Sequence, residues 1–119
     1  MTVTFHEQDG VIMRMFSGEV SFADMMESWQ RLLDSYPDLK NYKGILTSLL
    51  DADIQPADTN LNVMIEFLKN HLDQLKDLKI AIVMNTPLVT NTIIMSQKVK
   101  SLQIKPFTTI DAAIIWIRQ

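Results

Sequence analysis

The hydrophobic pattern of the chain is organised around one uninterrupted apolar stretch, residues 80–84, which reads Ile-Ala-Ile-Val-Met. A half-exposed strand alternates apolar with polar residues, whereas a continuous run rich in β-branched residues is typical of a strand covered on both faces. Residues 45–50 form a second segment of this kind. The pattern therefore predicts buried strands, and Thr86-Pro87 after the first of them indicates a helix start.

An antiparallel hairpin is predicted at the beginning of the chain. Residues 2–8 alternate loosely, and residues 11–16 form a second apolar segment. Asp9-Gly10 lies between them and is a strong signal for a two-residue hairpin turn. We expect the second strand to end at Ser17-Gly18 and the hairpin to lie at one edge of the sheet.

Four helices are predicted from apolar residues that repeat every three or four positions. The first begins after Ser21, an N-cap with Asp24 in the position of a capping-box acid, and ends at Pro37. Thr109 caps the last helix. The stripes of the first two helices are formed by Phe22, Met25, Met26, Trp29, Leu32, Leu33 and Tyr36, and by Leu61, Met64, Ile65, Leu68, Leu72 and Leu75.

The remaining strand is predicted at residues 104–108, where Pro106 marks an edge or strand-entry position. The element order is then β-β-α-β-α-β-α-β-α. Strands separated by a single helix run parallel, because right-handed crossovers place the helices on the sheet. The sequence predicts an α/β fold with a mixed, mostly parallel sheet and an antiparallel edge hairpin, in a single domain over residues 1–119.

Composition narrows the classes of function. The 119 residues are 47% hydrophobic and 21% charged, which suits one globular domain with a real core. The net charge of −3 and the scattered lysines argue against nucleic-acid binding. The absence of cysteine excludes disulfides, thiol nucleophiles and thiolate metal sites. Since no secretory signal is visible and no apolar run approaches the ~20 residues of a membrane span, we expect a cytoplasmic protein.

Several short segments, spread over nearly the whole chain, match one known family. They are residues 16–21 at the end of the hairpin, Ser28-Trp29 in the first helix, and residues 43–46, 79–83 and 105–116. With the element order, they resemble the SpoIIAA-like branch of the STAS fold, in particular small bacterial STAS-like proteins related to the SpoIIAA/CRAL-TRIO group. The resemblance implies a SpoIIAA-like architecture, because the matching residues are mostly those that determine the fold.

The resemblance also implies a candidate phosphoacceptor, Thr59. STAS proteins that act as anti-sigma factor antagonists carry a phosphorylatable Ser or Thr at the start of the second helix, usually within Asp-Ser-Ser/Thr-Gly. Residues 57–61 here read Ala-Asp-Thr-Asn-Leu, with an Asp-Thr pair but no glycine. A phosphate at Thr59 would change partner docking through its negative charge. The alternative is a plain helix cap.

Acidic residues follow the second buried strand. Asp51, Asp53 and Asp58 are predicted to lie in a loop beyond its carboxyl end, where open α/β sheets usually bind ligands. Carboxylates in such a place could bind a hard cation such as Mg²⁺ and support a metal-dependent hydrolase. Their spacing matches no known cation loop, and Asp is a normal turn former, so a solvated loop is the alternative.

A second polar group opens the third helix. Thr86, Thr90, Asn91 and Thr92 could offer hydroxyl groups and free amides to an anion at the helix start. No glycine-rich turn precedes them, so a nucleotide fingerprint is missing. Capping and a polar surface turn are the alternative account.

The eight methionines lie mostly on predicted core faces. Methionine adapts to varied shapes, so these residues could line a flexible apolar cavity or a partner groove, or simply fill the core. No nucleophile, base and orienting group occur in a catalytic pattern. The leading hypothesis is a non-catalytic STAS-like domain without a cofactor that binds a partner protein or a small apolar ligand. A phospho-regulated switch and the metal-dependent hydrolase are alternatives, and a homodimer stays open.

Overall fold

The computed structural model describes residues 2–54, 60–85 and 89–119. The chain begins with a hairpin of β1 (Thr2–Gln8) and β2 (Val11–Val20), which pair in antiparallel register from Gln8 and Val11 outwards. Asp9 and Gly10 form the turn, with φ angles of 54° and 81°. Positive φ at both central residues is typical of a type I′ turn, whose twist matches that of the strands. The predicted edge hairpin is confirmed.

The sheet has five strands in the order β1-β2-β3-β4-β5, completed by β3 (Gly44–Ile54), β4 (Lys79–Val83) and β5 (Gln103–Phe107). All neighbours beyond the hairpin pair in parallel. The predicted mixed, mostly parallel α/β sheet is therefore confirmed. The apolar stretch at residues 80–84 supplies an interior strand, β4, although the middle strand of the sheet is β3.

The described residues include five helices, α1 (Phe22–Ser35), α2 (Leu61–Asn70), α3 (Leu72–Leu75), α4 (Val89–Lys98) and α5 (Ile110–Arg118), with a 3₁₀ turn at Leu39–Asn41. The first four connect strands, and α5 follows the last strand. Ser21 and Asp24 form the predicted capping box, and Thr109 caps α5. The single helix expected over residues 61–75 is divided at His71 into α2 and α3. None of the described helices is long and apolar enough to cross a bilayer.

Helices cover both faces of the sheet, and alternate strand residues point to opposite sides. On one face, α5 packs against Val11, Met13, Leu46, Ala81 and Val83. On the other, α1, α2 and α4 cover a larger cluster that includes Ile12, Phe16, Ile45, Leu49, Ile80 and Ile82. The two clusters explain why β4 is apolar throughout.

The prediction of an acidic loop directly after the second buried strand is wrong for the first half of that loop, which is strand. Residues 51–54 continue β3 as strand, and they pair with residues 17–20, which extend β2 beyond its expected end at Ser17-Gly18. β4 pairs with β3 only up to Ser48, so the extension is a two-stranded ribbon in which Asp51 and Asp53 are exposed. The pairing of residues 51–54 with residues 17–20, which are far away in the sequence, overrides the local turn preference of aspartate.

Candidate functional site

An apolar cavity of about 70 Å³ lies between the sheet and the three helices α1, α2 and α4. Every strand except β1 and each of these three helices contributes to its wall. The described residues that line it are Arg14, Met25, Trp29, Thr47, Leu49, Ile54, Leu61, Met64, Leu68, Ile80, Ile82, Met84, Thr92, Met95 and Ile104. Pockets of this kind, apolar with a few placed polar groups, are typical of small-molecule sites.

The opening of the cavity is marked by three partly exposed lining residues, Met25 on α1, Ile54 at the end of β3 and Leu61 at the start of α2. The other lining residues are buried. Within residues 2–54, 60–85 and 89–119, these three residues form the accessible part of the cavity wall, between the two helices and the ribbon of β2 and β3.

Four lining residues are methionines, Met25, Met64, Met84 and Met95. The methionine side chain is unbranched and polarisable, so a wall built from it adjusts to ligands of different shape. The predicted placement of methionines on core faces is confirmed for Met64, Met84 and Met95, which are buried.

The polar centre of the cavity is Arg14, which is only 1% exposed. Arg14 and Thr47 are directly opposite on the paired strands β2 and β3, and Nε of Arg14 donates a hydrogen bond of 3.0 Å to Oγ1 of Thr47. Its Nη1 donates a longer hydrogen bond of 3.5 Å to Oγ of Ser28 on α1. The arginine thus joins the sheet to α1.

Two aromatic rings also lie close to the guanidinium group of Arg14. The Cζ atom of Arg14 lies 4.2 Å from the ring centroid of Trp29 and 5.2 Å from that of Phe16. The negative ring faces stabilise a cation at such distances. Burial lowers the pKa of Arg14 to about 9, so the guanidinium group remains charged at neutral pH.

Sequence reasoning missed Arg14. The residue is the one charge within the apolar segment 11–16, and it occupies the same side of β2 as Ile12 and Phe16. A single cation on the buried face of a strand is the signal that could have identified it, because charged residues are almost never fully buried without a partner.

Of the predicted site residues that the structure describes, only Thr92 lines this cavity. Thr92 is buried in its wall, where its Oγ1 lies 3.7 Å from Sδ of Met84 as a weak donor. Thr90 is exposed at the start of α4, and Asp51 and Asp53 lie on the exposed side of the ribbon.

Three of the predicted residues, Asp58, Thr59 and Thr86, lie outside the described residues, as does the side chain of Asn91. Asn60 caps α2, with its side chain accepting a hydrogen bond from the amide of Val63. Within residues 2–54, 60–85 and 89–119, no three acidic, histidine or cysteine side chains form a group that could hold a metal ion.

No protein-family model and no curated protein sequence matches the chain. Several solved structures, however, match nearly the whole chain. An anti-sigma factor antagonist from Mycobacterium paratuberculosis has a TM-score of 0.66 at 18% identity, over 99% of this chain and 94% of the other. A putative anti-sigma factor antagonist from Thermotoga maritima has a TM-score of 0.65 at 19% identity, over 98% and 95% of the two chains.

A third similar structure is an uncharacterized protein with a SpoIIAA-like fold from Shewanella loihica. Its TM-score is 0.60 at 14% identity, over 98% of this chain and 92% of the other. These matches cover all the elements described above, including the hairpin and α5. The chain has the SpoIIAA-like fold of the STAS proteins.

Proposed function

We propose that this domain is a non-catalytic binding module whose cavity receives a small apolar ligand. The observation that carries the proposal is the cavity itself, with its wall of four methionines and its opening at Met25, Ile54 and Leu61. Apolar cavities in proteins stay dry and bind small apolar molecules. Ligand binding would be favourable because it removes apolar surface of the ligand and of the cavity wall from water.

The experiment is native mass spectrometry of the protein purified from cells. We expect a bound small molecule on the wild type. Leu61→Trp should yield bare protein, because residue 61 is partly exposed at the opening and a larger ring there covers it. Val63→Trp is the matched control, since Val63 is 46% exposed on the same helix and does not line the cavity.

Two results would contradict the proposed site. Bare protein in all three samples would contradict a resident apolar ligand. The same bound mass on Leu61→Trp as on the wild type would place the ligand elsewhere on the molecule.

Protein-partner binding is the second candidate, supported by the description of two similar structures as anti-sigma factor antagonists, one of them putative. In the sequence Thr59 directly precedes Asn60, the N-cap of α2, and negative charge is favourable near a helix N-terminus. Incubation with cell extract and ATP, followed by mapping of phosphate, tests this switch. The metal-dependent hydrolase gains no support, because Asp51 and Asp53 belong to a strand.

A further inference from the structure

The cavity combines an apolar wall with one positive charge. Among the described residues that line it, Arg14 is the only charged one, and Thr47 and Thr92 are the only others with polar side chains. In the part of the chain that the structure describes, no carboxylate forms an ion pair with Arg14. A buried charge without an opposite charge is costly, and a purely structural link between β2 and α1 does not require one.

The hydrogen bonds that Arg14 donates to described residues do not use all the donors of its guanidinium group. The group has five N–H donors in a planar fork. The two hydrogen bonds to described residues use Nε and Nη1, and no acceptor among those residues binds Nη2. A planar acceptor with two oxygens, such as a carboxylate, matches the remaining donors.

The size of the cavity limits the apolar part of such a ligand. Its volume of about 70 Å³ is well below the ~150 Å³ of an engineered cavity that holds benzene. A short alkyl chain would require the methionine side chains to adjust, and a longer chain would extend towards the partly exposed residues Met25, Ile54 and Leu61. Charge and volume together favour a small ligand with one anionic end.

We infer that the cavity binds a small amphiphilic carboxylate, whose oxygens accept hydrogen bonds from Arg14 and whose apolar chain lies against the methionines. The inference rests on the proposed function and adds the charge of the ligand to it. A neutral or cationic ligand of the same size leaves the charge of Arg14 without a partner, and inorganic phosphate lacks the apolar chain.

The test uses three probes with the same chain and different head groups, hexanoate, 1-hexanol and hexylamine. Titrations followed by the methionine methyl signals in NMR spectra give their dissociation constants for the wild type and for Arg14→Met, which keeps a long flexible side chain. We expect the wild type to bind hexanoate most tightly. Arg14→Met should lose about 30-fold or more in affinity for hexanoate, as when a buried charge pair loses one partner, and keep its affinity for 1-hexanol within about threefold.

The salt dependence of hexanoate binding distinguishes the buried cavity from a site on the surface. The buried pair is screened only weakly, so hexanoate affinity should change less than about threefold between low and ~0.5 M ionic strength. A steep loss of affinity with salt would overturn the inference in favour of exposed lysines.

The other outcomes distinguish a failure of the inferred anionic head group from a failure of the proposed apolar site. Equal affinity of the wild type for hexanoate and 1-hexanol, or undiminished hexanoate binding by Arg14→Met, would overturn the anionic head group and leave the apolar site standing. Failure of all three probes to bind the wild type would contradict both. If Arg14→Met does not fold, the preference of the wild type for hexanoate over 1-hexanol decides the matter without a variant.

Discussion

At the residue scale, Arg14 gives the core its polar centre. It is held by Thr47 beside it on β3, by Ser28 on α1 and by the face of Trp29. These contacts offset part of the cost of taking a cation out of water, but the lowered pKa shows that burial still disfavours the charged form. The folded protein therefore carries an energetic penalty that a ligand with an opposite charge would relieve.

This penalty has a pH dependence with a definite sign. The pKa of Arg14 is about 9 in the folded protein, against 12.5 ordinarily, so the unfolded chain binds more protons than the folded one between these values. The penalty is present in full below about pH 9 and disappears as the pH rises towards 12.5. We expect the free energy of unfolding of the wild type, relative to Arg14→Met, to increase as the pH rises through about 9.

Urea unfolding of both proteins between about pH 7 and about pH 10, without added ligand, measures this difference. Other titratable groups are present in both proteins, so their contributions cancel in the comparison. A difference that stays constant or decreases with pH would show that Arg14 does not bear the penalty.

At the scale of elements, the close contact between β3, β4 and α5 depends on Gly44. A Cβ atom at residue 44 would overlap the carbonyl oxygen of Lys79 on β4 and lie 2.8 Å from Cγ2 of Ile117 on α5. Glycine is thus required where the first residue of β3 meets both neighbours. The backbone cannot yield here without disturbing the pairing of β3 with β4.

Gly44→Ala should therefore destabilise the fold by about 2 kcal/mol or more, the usual cost of overpacking in a core. Chemical denaturation measures the loss. Gly10→Asn is the matched control, because its side chain meets only the flexible Lys43 and asparagine tolerates the positive φ of the hairpin turn. Equal stability of Gly44→Ala and the wild type would contradict the close approach.

Elements fixed by local chemistry could be predicted from the sequence. The capping box at Ser21, the cap at Thr109 and the Asp9-Gly10 turn each involve residues within three positions, and all are confirmed. The ribbon of β2 and β3 could not be predicted, because residues 51–54 are strand only through pairing with residues 17–20. Its aspartates favour a turn when considered alone.

The cavity, like the ribbon, could not be predicted from local sequence patterns. The methionine stripes indicated apolar surfaces, but their convergence from α1, α2 and α4 onto one space depends on how the helices cross the sheet. Arg14 is separated from Ser28 by 14 positions and from Thr47 by 33, so no local pattern connects them. The binding and phosphoacceptor roles stay predictions for all the residues to which they were assigned, Asp51, Asp53, Asp58, Thr59, Thr86, Thr90, Asn91 and Thr92.

At the scale of the whole molecule, the two faces of the sheet have different roles. The α5 face is a compact layer in which Ala113 and Ile117 pack directly on the strands. The opposite face carries the other described helices, α1 to α4, and contains the cavity. Ile115 on α5 is 63% exposed, and a homodimer stays a prediction.

This asymmetry makes the methionines internal reporters of where a small apolar probe binds. Met64, Met84 and Met95 line the cavity, whereas Met13 is buried on the α5 face. Xenon suits the test, since it is apolar, uncharged and known to enter dry protein cavities.

The most direct test of the central claim is thus a methyl NMR spectrum of the methionine-labelled protein under xenon pressure. We predict saturable shifts of the Met64, Met84 and Met95 methyl signals, with the Met13 signal unchanged. Shifts that are absent, or that are equal on the two faces of the sheet, would contradict a binding cavity beneath α1, α2 and α4.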